Sequence, residues 1–280
     1  MIAAIGSATN VLMAITQALC SDCVARAMCK AWMGAVLSAA VRKTPLQYGE
    51  LGLVFRRVGN KGQLDMTYVL YGHRRSGSLA VEMALAEIGA DYEVRDVDLE
   101  SEAQRDEAYA SVNPQRKVPA LVTPSGEILT ESVAILLTLD DRHPEAGLLP
   151  RDAAERAQAL RWLLFVATEI YPVVEINDYP ERFSPNEETA IGLREVARSI
   201  WRKRWLLVES EIAGAPYLLR SGFCLTDLYI AVVSRWAQQD AWRPENLPRV
   251  ERLTAAVAER PATAPVWSRH RPETTPNRFG

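Results

Sequence analysis

An acidic residue and a hydroxyl residue, Glu131 and Ser132, stand immediately before an apolar run that predicts a helix over residues 133–139. The first turn of a helix carries backbone N–H groups without partners in the helix, and these groups can bind an anion. A serine here could contribute to an anion site, or its hydroxyl could do no more than cap the helix. The pair therefore predicts anion binding at this helix terminus, with simple capping as the alternative.

The four cysteines offer little chemistry. Cys20, Cys23 and Cys29 lie within the first thirty residues, and Cys224 stands alone. Cys20 and Cys23 form a C-x-x-C motif, but no strand precedes it as in redox proteins, and a zinc site would need a second pair. We therefore favour a chance pair, predict neither metal nor disulfide framework, and interpret the compartment as cytoplasmic.

The elements that must position Glu131 and Ser132 alternate between strand and helix from Met66 to about His143. An apolar strand ends at Gly72, a polar turn follows, and the helix after it ends at Gly89. A hairpin and a helix complete the section. The predicted elements are strand 68–71, helix 79–88, strand 92–97, strands 120–123 and 127–130, and helix 133–139. The order β-α-β, a loop region with room for one short helix, then β-β-α predicts a thioredoxin-like domain over residues 66–146.

The remainder of the chain predicts helices only. Residues 153–171, closed by Pro172, residues 187–213 and residues 248–259 show apolar positions at helical spacing. Residues 225–236 are almost wholly apolar, which predicts a helix buried on all sides. The fold class is therefore an α/β thioredoxin-like domain followed by an all-helical domain over residues 152–270.

Residues 1–65 differ in composition from the rest. They carry seven basic and three acidic residues, whereas the chain from Met66 onward carries 25 basic and 32 acidic residues. Residues 2–21 are uncharged but include several polar residues and follow no basic segment, which disfavours a signal peptide or a membrane helix. We interpret residues 1–65 as an extension, either disordered or upstream of a natural start at or near Met66.

The most specific motif is NPQRKVPAL at residues 113–121, followed ten residues later by Glu131-Ser132. On this motif the chain from Met66 onward resembles the soluble glutathione S-transferase family, in particular its bacterial serine-type members. The resemblance implies that Pro119 is cis, so that the backbone at Val118 turns outward and pairs with the cysteinyl backbone of glutathione. It also implies that Glu131 holds the γ-glutamyl ammonium and Ser132 the γ-glutamyl carboxylate.

Two further residues of the motif bear on this site. The resemblance implies that Lys117, directly before Val118, reaches glutathione. Arg116 departs from the family, which often has glycine there, and its cation either contacts the glycyl carboxylate or faces solvent.

Conjugation requires the thiol of glutathione as thiolate, since only that form attacks electrophiles well. The resemblance implies a hydroxyl donor where the first strand meets the first helix, and Ser76 has the spacing of serine-type members. Ser78 and Tyr71 are the alternatives, although Ser78 also suits a helix cap and Tyr71 a core position. Members that form mixed disulfides have a cysteine where this chain has Gly77, which disfavours thiol-disulfide exchange through the protein.

The resemblance also places aromatic side chains of the helical domain, Tyr171, Tyr179, Trp162 and Phe165, against a pocket for the electrophile. Aromatics at helical spacing are more often plain core, so that alternative stays open. In the same domain, residues 223–227 resemble the family's capping motif, with Asp227 in place but Cys224 at the cap position. We assign that motif to folding.

We therefore expect a cytoplasmic, homodimeric glutathione S-transferase that takes glutathione and a small electrophile. A net charge of −3 argues against nucleic acid as a partner, and we expect no membrane partner. Alternatives of the same fold are a glutathione-dependent isomerase, dehalogenase or peroxidase. A non-catalytic module that binds a protein partner is the alternative from another class.

Overall fold

The computed structural model describes residues 67–236 and 242–270. The expectations for residues 1–65, including the C-x-x-C pair and the start at Met66, lie outside the described residues.

The first part of the described chain forms a four-stranded sheet in the order β2-β1-β3-β4. Strand β1 is parallel to β2 and antiparallel to β3, which is antiparallel to β4. The strands are β1 Tyr68–Gly72, β2 Tyr92–Asp96, β3 Ala120–Val122 and β4 Ile128–Thr130, and the helices are α1 Ser78–Glu87, the short α2 Glu107–Ala110 and α3 Ser132–Arg142. This order and this mixed sheet confirm the thioredoxin-like fold.

Helix α1 lies at the centre of the core. It contacts β1, α3 and two helices of the following domain, and its residues from Ser78 to Leu85 are all buried. Apolar side chains line almost its whole circumference because it is enclosed on all sides. Glu82 is the exception, a carboxylate only 2% exposed among these apolar neighbours.

The second part is helical, as predicted. Its α-helices are α4 Ala153–Phe165, α5 Tyr171–Asp178, α6 Glu187–Glu211, α7 Leu225–Val233, α8 Trp242–Asn246, α9 Pro248–Glu259 and α10 Thr263–Arg269. All nine residues of α7 are buried, which confirms the prediction of a helix enclosed by its neighbours.

The prediction of one regular α-helix over residues 153–171, closed by Pro172, is wrong, because the helix changes geometry and continues past Pro172. Helix α4 ends at Phe165, a π-helical turn spans Val166–Ile170, and α5 begins at Tyr171. Pro172 does not close a helix but lies in the first turn of α5, where a missing N–H group leaves no intrahelical bond unmade. The apolar periodicity could not reveal the break, because a π-helical turn shifts the pattern by only one residue.

The start of α7 confirms the structural role assigned to Asp227. Cys224 occupies the N-cap and forms a capping box with Asp227. The buried carboxylate of Asp227 accepts hydrogen bonds from the N–H groups of Cys224 and Leu218, each at 2.8 Å. The carboxylate thus reaches back to the N–H group of the N-cap residue, as the N3 side chain of a capping box does, and it also ties Leu218 to the start of α7.

Candidate active site

Three segments that carry candidate residues meet at one end of the sheet. In the antiparallel registers Tyr71 pairs with Ala120, and Ala120 pairs with Thr130. The C-terminal ends of β1 and β4 and the N-terminal end of β3 therefore lie together at the same end of the sheet. The segments brought together there are residues 73–78, residues 117–119 and residues 131–132.

The turn after β1 holds both candidate serines in one hydrogen-bonded group. The Oγ atoms of Ser76 and Ser78 lie 2.9 Å apart, and they lie 2.8 and 3.1 Å from the carbonyl oxygen of His73. Ser76 Oγ also accepts from the N–H of Ser78, at 3.2 Å. Since both hydroxyls already have protein partners, a ligand atom that bonded to Ser76 would replace one of them.

Gly72 makes this turn possible. A Cβ atom at Gly72 would lie 2.5 Å from both Cβ and Oγ of Ser78. Ser78 is 2% exposed, so its side chain has no room to move away. The end of β1 can therefore pass beneath the start of α1 only without a side chain at residue 72.

Tyr71, the third candidate hydroxyl, is directed along the sheet. Its oxygen accepts a hydrogen bond from Nη1 of Arg95 on β2, at 2.8 Å. Its ring centroid lies 6.0 Å from that of Tyr109 on α2. These contacts place the phenol beside β2 and α2.

The Val118–Pro119 peptide bond is cis, as the resemblance implied. The carbonyl oxygen of Lys117, just before it, accepts from the Tyr109 hydroxyl at 2.8 Å and from Nδ2 of Asn113 at 2.6 Å. Two side chains therefore fix the loop that leads into the cis bond.

The cation of Lys117 faces the helical domain. Its Nζ atom lies 3.3 Å from Oε2 of Glu175 on α5, and its side chain is 65% exposed. Arg116 lies on the other side, with Nη2 2.6 Å from Oε1 of Glu107 on α2. The backbone of Arg116 has φ +56°, a conformation that glycine would adopt without strain.

Glu131 and Ser132 form the start of α3. Glu131 is the N-cap residue in a left-handed conformation with φ +64°, and its side chain is exposed. Ser132 is the first helical residue, and its Oγ lies 3.1 Å from the hydroxyl oxygen of Tyr229 on α7. Ser132 is therefore not the N-cap residue of α3, and its hydroxyl reaches across to the helical domain.

Burial raises the pKa of the Tyr229 hydroxyl, so this phenol stays protonated. Sequence reasoning did not identify Tyr229. The only signal was a polar aromatic residue within the apolar run from Leu228 to Val233, and buried tyrosine hydroxyls need a partner.

The aromatic candidates of the helical domain occupy three different environments. Trp162 is 5% exposed and packs edge-on against Phe165, which favours the core alternative. Tyr179 is 38% exposed beneath the guanidinium of Arg182, whose central carbon lies 3.9 Å from the ring centroid. Tyr171 approaches the turn after β1.

The approach of Tyr171 is visible at Gly77. A Cβ atom at Gly77 would lie 3.2 Å from the Tyr171 hydroxyl oxygen, 3.7 Å from Cδ of Pro119 and 3.8 Å from Cη2 of Trp236. The rings of Tyr171 and Trp236 meet edge to face with centroids 4.8 Å apart. The thioredoxin-like and helical domains therefore face each other directly across Gly77.

The sequence of this chain is similar to that of several known proteins. The family model of the glutathione S-transferase N-terminal domain matches residues 66–141. The chain is 30% identical over 190 residues to glutathione S-transferase GstA of Escherichia coli O157:H7, which covers 66% of this chain and 89% of GstA. It is 27% identical over 215 residues to maleylacetoacetate isomerase of Pseudomonas aeruginosa, covering 72% of this chain and 96% of the isomerase.

A solved structure leads to the same class. The glutathione transferase homologue from Sulfitobacter, with bound glutathione, matches with a TM-score of 0.69 and 26% identity, covering 73% of this chain and 98% of that chain. A thioredoxin-like domain followed by a helical domain is the architecture of glutathione-binding transferases. The chain belongs to the glutathione S-transferase family.

Within residues 67–236 and 242–270, no helix is long and apolar enough to cross a membrane. Over the same ranges, no three His, Cys, Asp or Glu side chains cluster in a way that could hold a metal ion.

Proposed function

We propose that this protein binds glutathione as thiolate and adds it to small electrophiles. The observation that carries the proposal is the register of the sheet. It brings the cis Val118–Pro119 bond close to Glu131 and Ser132 at one end of the sheet. Val118 supplies a free backbone edge for the cysteinyl group. The α3 terminus supplies N–H donors for the γ-glutamyl carboxylate, and the exposed Glu131 carboxylate attracts the adjacent ammonium.

The remaining residues have supporting roles in this proposal. Lys117 attracts the glycyl carboxylate from the rim, where its charge is mostly exposed. Among the residues at the end of β1 and in the turn after it, Ser76 is the first candidate to donate a hydrogen bond to the sulfur of glutathione. Ser78 and Tyr71 are its alternatives. Of the three aromatic candidates for the wall that would meet the electrophile, Tyr171 is supported by its approach to Gly77 and Tyr179 is partly exposed, whereas the burial of Trp162 favours the core.

Calorimetry with glutathione tests the binding site directly. Ser132→Ala and Glu131→Ala should each weaken binding about tenfold or more, because a charge-assisted hydrogen bond contributes roughly 1.5–3 kcal/mol. Thr138→Ala is the matched control, since its hydroxyl lies on the same helix and bonds only to the carbonyl of Ala134. Unchanged affinity in both site variants, with a wild-type Thr138 control, contradicts the site.

An isomerase of the same fold is a second candidate, favoured by the relationship to maleylacetoacetate isomerase over nearly its whole length. Both enzymes need the same glutathione site and differ in the second substrate. Product analysis with halogenated arenes and with cis-enoyl diketo acids separates the two. A folded protein that binds no glutathione at millimolar concentration contradicts both and favours a non-catalytic protein-binding module.

The proposal also includes a homodimer in the cytoplasm, with neither nucleic acid nor membrane as a partner. Light scattering on the full chain measures the oligomeric state, and a monomer at micromolar concentration contradicts the dimer.

A further inference from the structure

The space in front of Gly77 has walls from both domains. Pro119 bounds it on the side of the sheet, and Tyr171 and Trp236 bound it on the helical side. The hydroxyl oxygen of Tyr171 is the nearest of these atoms, 3.2 Å from the position that a Cβ of residue 77 would take. A side chain at residue 77 would crowd this hydroxyl, so glycine lets the Tyr171 hydroxyl approach the turn that precedes α1.

The proposed function places the glutathione sulfur in this space. A cysteinyl backbone paired with Val118 puts its side chain over Pro119 and toward the start of α1, where Gly77 lies. The inference below rests on that pairing, and therefore on the proposed function.

The Tyr171 hydroxyl is prepared to act as a donor. Burial raises its pKa to about 12, with further contributions from the carboxylates of Glu131 and Glu175, so the hydroxyl keeps its proton at neutral pH. It makes no hydrogen bond to any other described residue, whereas the hydroxyls of Ser76 and Tyr229 have partners at 2.8 and 3.1 Å.

We propose that the hydroxyl of Tyr171 donates a hydrogen bond to the sulfur of bound glutathione and is a catalytic residue of this protein. The thiol proton leaves to solvent, and the remaining thiolate is stabilised by the Tyr171 O–H group. The sulfur then forms a bond to the electrophilic carbon, and a leaving group such as halide departs with its bonding electron pair. Tyr171 keeps its own proton throughout.

The test is Tyr171→Phe in the full chain, which removes the donor and keeps the ring against Trp236. Titration of bound glutathione by its ultraviolet thiolate absorbance should show a thiol pKa raised by about one unit. The turnover number at low pH should fall about tenfold and recover at high pH, whereas the glutathione dissociation constant changes less than threefold. Tyr217→Phe is the control, because its hydroxyl lies 3.4 Å from Nη1 of Arg260, away from this space.

The outcomes separate this assignment from the proposed function. A wild-type thiol pKa in a Tyr171→Phe variant that binds glutathione normally overturns the role of Tyr171 and leaves the proposed function intact. Wild-type protein that binds no glutathione overturns both.

A second variant covers the case in which Tyr171→Phe does not fold. Gly77→Ala places a methyl group 3.2 Å from the hydroxyl and between the two walls, so it should also raise the pKa of the bound thiol. An unchanged thiol pKa in a folded Gly77→Ala variant counts against the assignment.

Discussion

Replacement of Glu82 by glutamine should destabilise the protein through a contact between α1 and the end of α10. His270 Nδ1 accepts a hydrogen bond from the Arg75 N–H at 3.2 Å, so the ring proton resides on Nε2, which donates to Glu82 Oε2 at 2.7 Å. Arg269 donates to the other carboxylate oxygen. A glutamine has one oxygen for these two donors, so its amide N–H group would face the other donor.

The size of the expected loss in unfolding free energy follows from how deeply the two hydrogen bonds to Glu82 are buried. A hydrogen bond to a charged group contributes roughly 1.5–3 kcal/mol, and the bond from His270 is almost fully buried. Arg269 is 54% exposed, so its ion pair contributes at most about 1 kcal/mol after solvent screening. We expect Glu82→Gln to lose about 2–4 kcal/mol of unfolding free energy, which corresponds to a melting temperature lower by roughly 4–16 °C.

The pH dependence has a defined sign. Burial raises the pKa of Glu82, but hydrogen bonds from His270 and Arg269 outweigh burial and hold the pKa below its ordinary value of 4.5. The stability from Glu82 is therefore fully present above pH 4.5 and is lost as pH falls through the lower pKa of the folded protein. The difference between wild type and Glu82→Gln should shrink in that acidic range.

Urea unfolding followed by tryptophan fluorescence measures both effects. Glu102→Gln is the control, because its ion pair with Arg105 is more than half exposed and should matter by less than about 1 kcal/mol. A loss in Glu82→Gln no larger than in this control, or a difference that stays constant under acid, refutes the reasoning.

Three further predictions concern other parts of the chain. Asp227→Asn leaves one of two buried backbone donors unpaired and should cost about 2–4 kcal/mol in urea unfolding; a loss below about 1 kcal/mol contradicts the capping role. Gly72→Ala forces a methyl group to 2.5 Å from Ser78 and should lower both melting temperature and glutathione affinity; wild-type values in both assays would disprove the steric argument. A chain that begins at Met66 should keep its melting temperature and glutathione affinity, and an insoluble product contradicts that expectation.

Local sequence patterns predicted much of the fold. The apolar run at residues 68–71, the hairpin around Gly126 and the apolar helix at residues 225–233 needed only periodicity and turn chemistry. The break after Phe165 was missed because π-helical and α-helical turns carry nearly the same apolar pattern. Local signals also gave no position for α10, whose seven residues include Pro265.

The site was only partly predictable for a different reason. Val118, Pro119, Glu131 and Ser132 stand in one motif, so their proximity could be inferred from the hairpin between them. The approach of Tyr171 to Gly77 depends on packing between domains, which no local pattern encodes. Glu82 did carry a signal, a carboxylate in the middle of the apolar run from Leu79 to Leu85, from which a buried ion pair could have been expected.

The π-helical turn at Val166–Ile170 amounts to a single-residue insertion in an otherwise continuous helix. Each residue rotates an α-helix by about 100° and advances it by about 1.5 Å. Because the π-helical turn absorbs one extra residue, deletion of one residue here should give a regular α-helix in which α5 keeps its orientation and Tyr171 still faces Gly77. A deletion within α4 would instead rotate α5 by about 100°, so this turn is the place where the helix can change length by one residue without moving Tyr171 away from Gly77.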